Sequence, residues 1–286
     1  MFKQRNLVFL LAFVFVLALF VAGCANEKKS AAEIDLGYVN WACATANSYM
    51  VKNLLEEEFA VKVNLHDLQA GILWQSVATG DIDFMVTAWL PLTHQSYYEK
   101  LQDDMVDLGP LYNGAAIGLV VPAYVEIDSI EELNAHKDKF GGRIIGIDAG
   151  AGIMEATKNA IEVYDLELSL MEGSDAAMAA ELKTAIENEE WIVVTGWAPH
   201  WKFGTFDLKF LEDPANVYGG EETINAFTRA GFADDYPEIN EFLANYYLTP
   251  EQFGGLIALM EEYDDKNEAA KVWLEQNRDL VESWLQ

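Results

Sequence analysis

A chain of 286 residues in which 47 acidic side chains outnumber 18 basic ones carries a net charge of −29. A field of that sign repels nucleic acid, anionic lipid and, over a range set by salt, anionic ligands, whereas a zwitterion feels little of it. Cys24 and Cys43 are the two cysteines, too few for a disulfide framework, and a 51% hydrophobic composition can fill one large or two medium cores without one.

Lys3 and Arg5 precede an apolar run over 7–21 that ends at Val21, Ala22, Gly23 and Cys24, after which Asn26, Glu27, Lys28 and Lys29 are polar. About 15 apolar residues fall short of the roughly 20 that span a bilayer core, so the segment reads as an export signal. Its end resembles a bacterial lipobox, which implies cleavage before Cys24 and lipid on that cysteine. The expected organisation is a signal peptide over 1–24, a polar tether over 25–32, and a folded domain held by lipid at the extracytoplasmic face of the cell membrane. Cys43 is then a lone thiol, expected to pack rather than react.

In the folded part, strands are expected at 36–40, 61–65, 83–88, 117–121, 145–148, 191–196 and 208–211. Helices are expected over 44–59, 72–79, 94–103, 129–136, 152–164 and 176–188, with Ser129 and Glu132 forming a capping box. After about Glu222 helical patterns take over, ending in a helix over 267–285. Two echoes organise these elements. Asp83 to Pro91, ending Ala-Trp-Leu-Pro, returns as Trp191 to Pro199, ending Gly-Trp-Ala-Pro; Leu36-Gly37-Tyr38 returns as Ile145-Gly146-Ile147. Offsets near 108 residues are too long for a solenoid and indicate two similar lobes. The expected fold class is α/β, with a small, mostly parallel sheet flanked by helices in each lobe and the ligand in the cleft between. The expected boundaries are 33–119 with 217–286 for lobe I and 120–216 for lobe II.

Trp41, Trp89 and Trp197 lie where strands end and loops begin, the place where open α/β sheets bind ligands. Pro91 and Pro199 follow two of them and fix the loops. Trp74, Trp191, Trp273 and Trp284 are expected in packing roles. A box of indoles without carboxylates suits a quaternary ammonium, whose methyl groups are cheaply desolvated, and disfavours a primary ammonium, whose three donors would find no acceptor. An anion fits the small-residue turn from Asp148 to Gly152, where a strand gives way to a helix and the amides of Gly152 and Ile153 are free. That turn lacks both the dinucleotide fingerprint and the P-loop lysine, so no cofactor is expected. His94 can donate to the same anion or be a solvated histidine at a helix start; His200 is a weaker candidate, and His66 and His136 read as surface residues. No metal cluster or catalytic nucleophile with a paired base is apparent.

The chain resembles the glycine betaine-binding proteins of osmoprotectant ABC importers. The resemblance is carried by Leu36 to Trp41, Trp74 to Gly80, Ala88-Trp89-Leu90-Pro91 with Thr93-His94, Gly118 to Pro122, and Thr195 to Trp201. It implies a two-lobe periplasmic-binding-protein fold of type II and a monomer that closes over its ligand and docks on permease subunits, without chemistry of its own. It also implies a cage of Trp41, Trp89 and Trp197 for a trimethylammonium group, with Gly152, Ile153 and His94 as carboxylate donors. Ala149 stands where the family's turn is expected to carry proline, and Ala42-Cys43-Ala44 follows the first cage tryptophan where relatives often carry polar or acidic residues. Proline betaine, carnitine, a sulfonium analogue and choline are the alternative ligands.

Overall fold

The structure, a computed structural model, describes residues 32–286; the expected signal peptide, the lipidation site Cys24 and all but the last residue of the tether lie outside the described residues. The chain runs β1 (Glu33–Tyr38), α1 (Ala42–Glu58), β2 (Lys62–Asp67), α2 (Ala70–Thr79), β3 (Phe84–Leu90), α3 (Gln95–Leu101) and β4 (Met105–Pro122). It continues through β5 (Arg143–Ile145), α4 (Gly152–Val163), β6 (Ser169–Met171), α5 (Asp175–Glu187), β7 (Val194–Ala198), α6 (Lys202–Thr205), β8 (Leu208–Phe210) and β9 (Glu222–Arg229). Five helices close it: α7 (Phe232–Asp235), α8 (Pro237–Asn245), α9 (Pro250–Glu262), α10 (Lys266–Gln276) and α11 (Arg278–Trp284). Among the described residues no helix is long and apolar enough to cross a membrane.

Two sheets share one strand. The order is β2-β1-β3-β9-β4-β7-β5-β6, with β8 also on β4. β4 pairs antiparallel with β9 from Met105 to Ala115, then with β7 from Ala116 to Val120. Gly114, at φ +87°, lies in a bulge where the strand changes partner, and the extra residue bends β4 out of one sheet and into the other. The fold is thus the expected α/β two-lobe type. Among the named strands parallel pairing is confined to β1 with β2 and β3, and β5 with β6 and β7; the antiparallel pairings of β4 and β9 make both sheets mixed.

Three expectations are corrected. Glu222–Arg229 is a strand at the heart of the first sheet, not the start of a helical region; Thr223, Ile224, Phe227 and Thr228 supply the β-branched and aromatic side chains a strand favours. Residues 129–136 form two 3-10 turns instead of an α-helix. The capping box from Ser129 is present, and the i+3 spacing of that geometry turns Ile130 and Leu133 into the core together. The terminal helix breaks at Asn277, whose Nδ2 donates to the Trp273 carbonyl at 2.8 Å and competes with the helix ladder.

The echoes are structural. Trp89 is the penultimate residue of β3 and Trp197 that of β7, and the peptide bonds that leave the two strands, Leu90-Pro91 and Ala198-Pro199, are both cis. Of the tryptophans assigned to packing, Trp74, Trp273 and Trp284 are buried in the core, and Trp191 is half-buried under Lys139, 3.9 Å from its ring.

Candidate ligand-binding site

The C-terminal ends of β1, β3 and β7 each deliver one indole. Trp41 sits in extended conformation just ahead of α1, while Trp89 and Trp197 occupy the penultimate positions of their strands. All three are buried and line one pocket. Its other walls are Cys43, Thr93, His94, Ile117, Ile147, Ala151, Gly152 and Ile153. Every ligand-binding residue expected from sequence is therefore brought together in one place. No lining residue is a carboxylate, although the adjoining groove, which shares Trp41 and Ala151 with it, carries Asp67, Asp148, Glu172, Asp175 and Glu261.

His94 is built in as a donor. Its Nδ1 accepts the Trp89 amide at 3.0 Å, and its own amide donates back to the Trp89 carbonyl at 3.0 Å. The proton therefore resides on Nε2, which is buried without an acceptor among the described residues. Burial drives its pKa down to about 3, so the imidazole is neutral at ordinary pH. Trp41 stacks on it at 6.0 Å and Trp74 meets it edge-on at 5.7 Å, which fixes the ring plane. A neutral N–H held this rigidly offers a hydrogen bond to an anion with no charge to neutralise first.

Across the cleft, α4 begins at Gly152 with Ala151 as its N-cap and no side-chain cap. Gly152 and Ile153 occupy the first two helical positions, so their amides have no intrahelical acceptor and face a favourable helix dipole. The lobes are closed on each other here. The Trp41 indole N–H donates to Asp148 at 3.2 Å, the Ala42 amide to Asp175 at 3.1 Å, and the Tyr97 hydroxyl to the Gly150 carbonyl at 2.7 Å.

His200 is not in the pocket. It is buried behind Trp197, its Nε2 3.0 Å from Asp175 and its Nδ1 accepting the Lys202 amide. His66 and His136 are half-buried elsewhere, His66 paired with Asp35 and His136 against Trp191. Cys43 is a wall of the pocket; burial, with Asp175 nearby, pushes its thiol up to about 12 and leaves it an unreactive apolar surface.

Glu222 is a supporting residue that the sequence did not mark. It is 2% exposed at the head of β9 and accepts the Leu92 and Thr93 amides at 2.8 Å each, along with the Thr93 hydroxyl. It thereby pins the loop between Trp89 and His94. Glu222→Ala strands three donors, so we expect a loss of about 2–4 kcal/mol in urea unfolding with an unchanged slope, together with weaker ligand binding. An unfolding midpoint like that of the wild type would show that the loop holds itself.

Residues 32–276 match the family described as the substrate binding domain of ABC-type glycine betaine transport systems. The glycine betaine/carnitine transport binding protein GbuC of Listeria monocytogenes is 41% identical over 177 residues, 61% of this chain and 57% of that relative's length. The crystal structure of lactococcal OpuAC, closed and complexed with glycine betaine, superposes with a TM-score of 0.85 at 34% identity over 89% of this chain and all of that one. The glycine betaine/L-proline-binding protein ProX of Borrelia burgdorferi gives a TM-score of 0.83 at 35% identity, covering 89% and 97% of the two chains. With the family match extending from the first described strand into the penultimate helix, the chain belongs to the substrate-binding domains of ABC-type glycine betaine transport systems.

Proposed function

We propose that this chain captures glycine betaine, or a closely related quaternary-ammonium zwitterion, between its lobes and delivers it to the permease subunits of an ABC importer. On this reading Trp41, Trp89 and Trp197 enclose the trimethylammonium group, while His94 and the amides of Gly152 and Ile153 receive the carboxylate. Lobe I comprises 33–119 and 217–286, lobe II comprises 120–216, and lipid on Cys24 holds the domain at the extracytoplasmic face of the membrane. The observation that carries the proposal is one pocket with three indoles, no carboxylate, and an orphaned neutral N–H beside a helix start. Indole faces attract a diffuse cation by about 0.5–2 kcal/mol each when dry. A carboxylate on the same ligand satisfies donors that choline would leave unpaired.

The test is titration of the domain from residue 25 onward with glycine betaine, proline betaine, carnitine and choline, following tryptophan fluorescence and melting temperature together. Saturable quenching with a raised melting temperature and recovery of unaltered ligand is expected, glycine betaine ahead of choline. No response to any of the four ends the proposal, and a modified product would make the chain an enzyme. His94→Phe should weaken glycine betaine about tenfold and leave choline unchanged, because only the carboxylate loses a partner. The ratio of the two affinities isolates that effect from any stability lost with the Trp89 amide's acceptor.

A further inference from the structure

Behind the cage lies a charged cluster for which capture of the ligand has no evident use. Lys202, at the start of α6, is fully buried, its ammonium without a hydrogen-bond partner among the described residues. It stands over the Trp197 ring, 4.0 Å from the centroid, and is not among the residues lining the pocket, so the indole separates it from the ligand's space. The groups that face it are Asp175 from α5, Cys43 from α1 and His200 from the turn before α6. Burial pushes the Asp175 carboxyl up, but His200, Lys202 and the Ala42 amide outweigh it and hold Asp175 below its usual range. Burial and Lys202 together hold His200 low, hence neutral, and Cys43 stays a thiol.

We infer that the Lys202 ammonium determines the ligand class: stacked on the face of Trp197 turned away from the pocket, it disfavours methylated cations that lack a carboxylate and barely affects zwitterions. The inference rests on reading the pocket as a quaternary-ammonium site. A ligand cation on the near face and Lys202 on the far face would be roughly 8 Å apart, where a unit charge at an effective dielectric constant of about 20–40 changes an affinity by roughly 6- to 30-fold. For a zwitterion the carboxylate, a few ångströms further off, cancels most of this and leaves about two- to threefold. Asp175 alone would do the opposite and draw cations in; Lys202 offsets it.

Burial lowers the pKa of Lys202 to about 8, so the charge can be removed without a mutation. A cation in the cage lowers it further. Binding therefore releases a proton, and cation affinity rises with pH until Lys202 is neutral in the free protein as well. Cys43, at about 12, and His94, at about 3, keep their states over the same range.

The experiment measures choline and glycine betaine affinity from pH 6.5 to 9 for the wild type and for Lys202→Met, which keeps the stem and drops the charge. Choline binding to the wild type should tighten roughly five- to fifteenfold across the range, and glycine betaine about two- to threefold at most. Lys202→Met should bind choline at pH 6.5 as the wild type does at pH 9, with a flat profile. Parallel profiles for the two ligands, or a choline rise that persists in Lys202→Met, overturn the inference. Absence of binding by both ligands at every pH instead ends the reading of the pocket itself. Because the wild-type profile needs no variant, a poorly folding Lys202→Met still leaves a decisive result.

Discussion

Gly152→Ala is expected to abolish saturable binding, weakening glycine betaine by more than about a hundredfold, while leaving the fold intact. A Cβ at this position would lie 1.6 Å from the Thr93 carbonyl oxygen and 2.6 Å from its carbonyl carbon. Both are backbone atoms of the opposite lobe, in the loop that Glu222 pins, so no side-chain rotation relieves the clash. The lobes must separate. Separation lengthens the Ala42–Asp175, Trp41–Asp148 and Tyr97–Gly150 bonds and draws the α4 amides away from His94 and the cage. Within its own lobe the substitution is harmless, since alanine is the best helix former and Gly152 opens α4. Far-UV circular dichroism and the melting temperature of the ligand-free protein should therefore match the wild type, with only the ligand-induced rise in melting temperature lost. Gly150→Ala is the control. Its Cβ would meet nothing closer than the Tyr97 hydroxyl at 3.7 Å, an ordinary contact, and affinity should stay within about threefold. Normal binding by Gly152→Ala would mean that the ligand does not need the lobes this close.

The parts of this molecule that can be read from sequence are those in which a local pattern and its role coincide. Trp89 and Trp197 stand at the ends of apolar strands in repeated words, and Gly152 and Ile153 open a helix after a run of small residues, so position along the chain already implied position in the cleft. The first half of β4 was hidden because Gly109, Pro110 and Gly114 look like turn residues, whereas in the sheet they occupy or adjoin bulges. β9 was hidden by the helices that follow it. The supporting charges were out of reach for a different reason: Glu222 acts on amides about 130 residues away, and Asp175 on one 133 residues away. A buried carboxylate with remote backbone partners looks in sequence like any surface acid in a chain with 47 of them. Lys202 is concealed in the same way, a basic residue between aromatics that would ordinarily keep its head in water.

Trp197→Ala should cost glycine betaine about 2–4 kcal/mol of binding, a loss of roughly 30- to 1000-fold. Part of that is the indole face itself and part is the dry surface against the ligand's methyl groups, at about 25 cal/mol per Å². A third contribution is specific to this protein. The Trp197 ring is what keeps the Lys202 ammonium, 4.0 Å from its centroid, out of the pocket, so truncation would expose one cation to another and let water reach both. His200, edge-on to Trp197 at 4.9 Å, would lose its packing partner, and a modest fall in the melting temperature of the free protein is expected as well. Trp191→Ala separates the two effects. That ring packs on Phe140 at 5.3 Å and lies under Lys139, away from the pocket walls, so its loss should lower stability without changing affinity or the ligand-dependent quenching. If Trp191→Ala weakened binding as much as Trp197→Ala, the loss would reflect general destabilisation, and the assignment of Trp197 to the cage would fail.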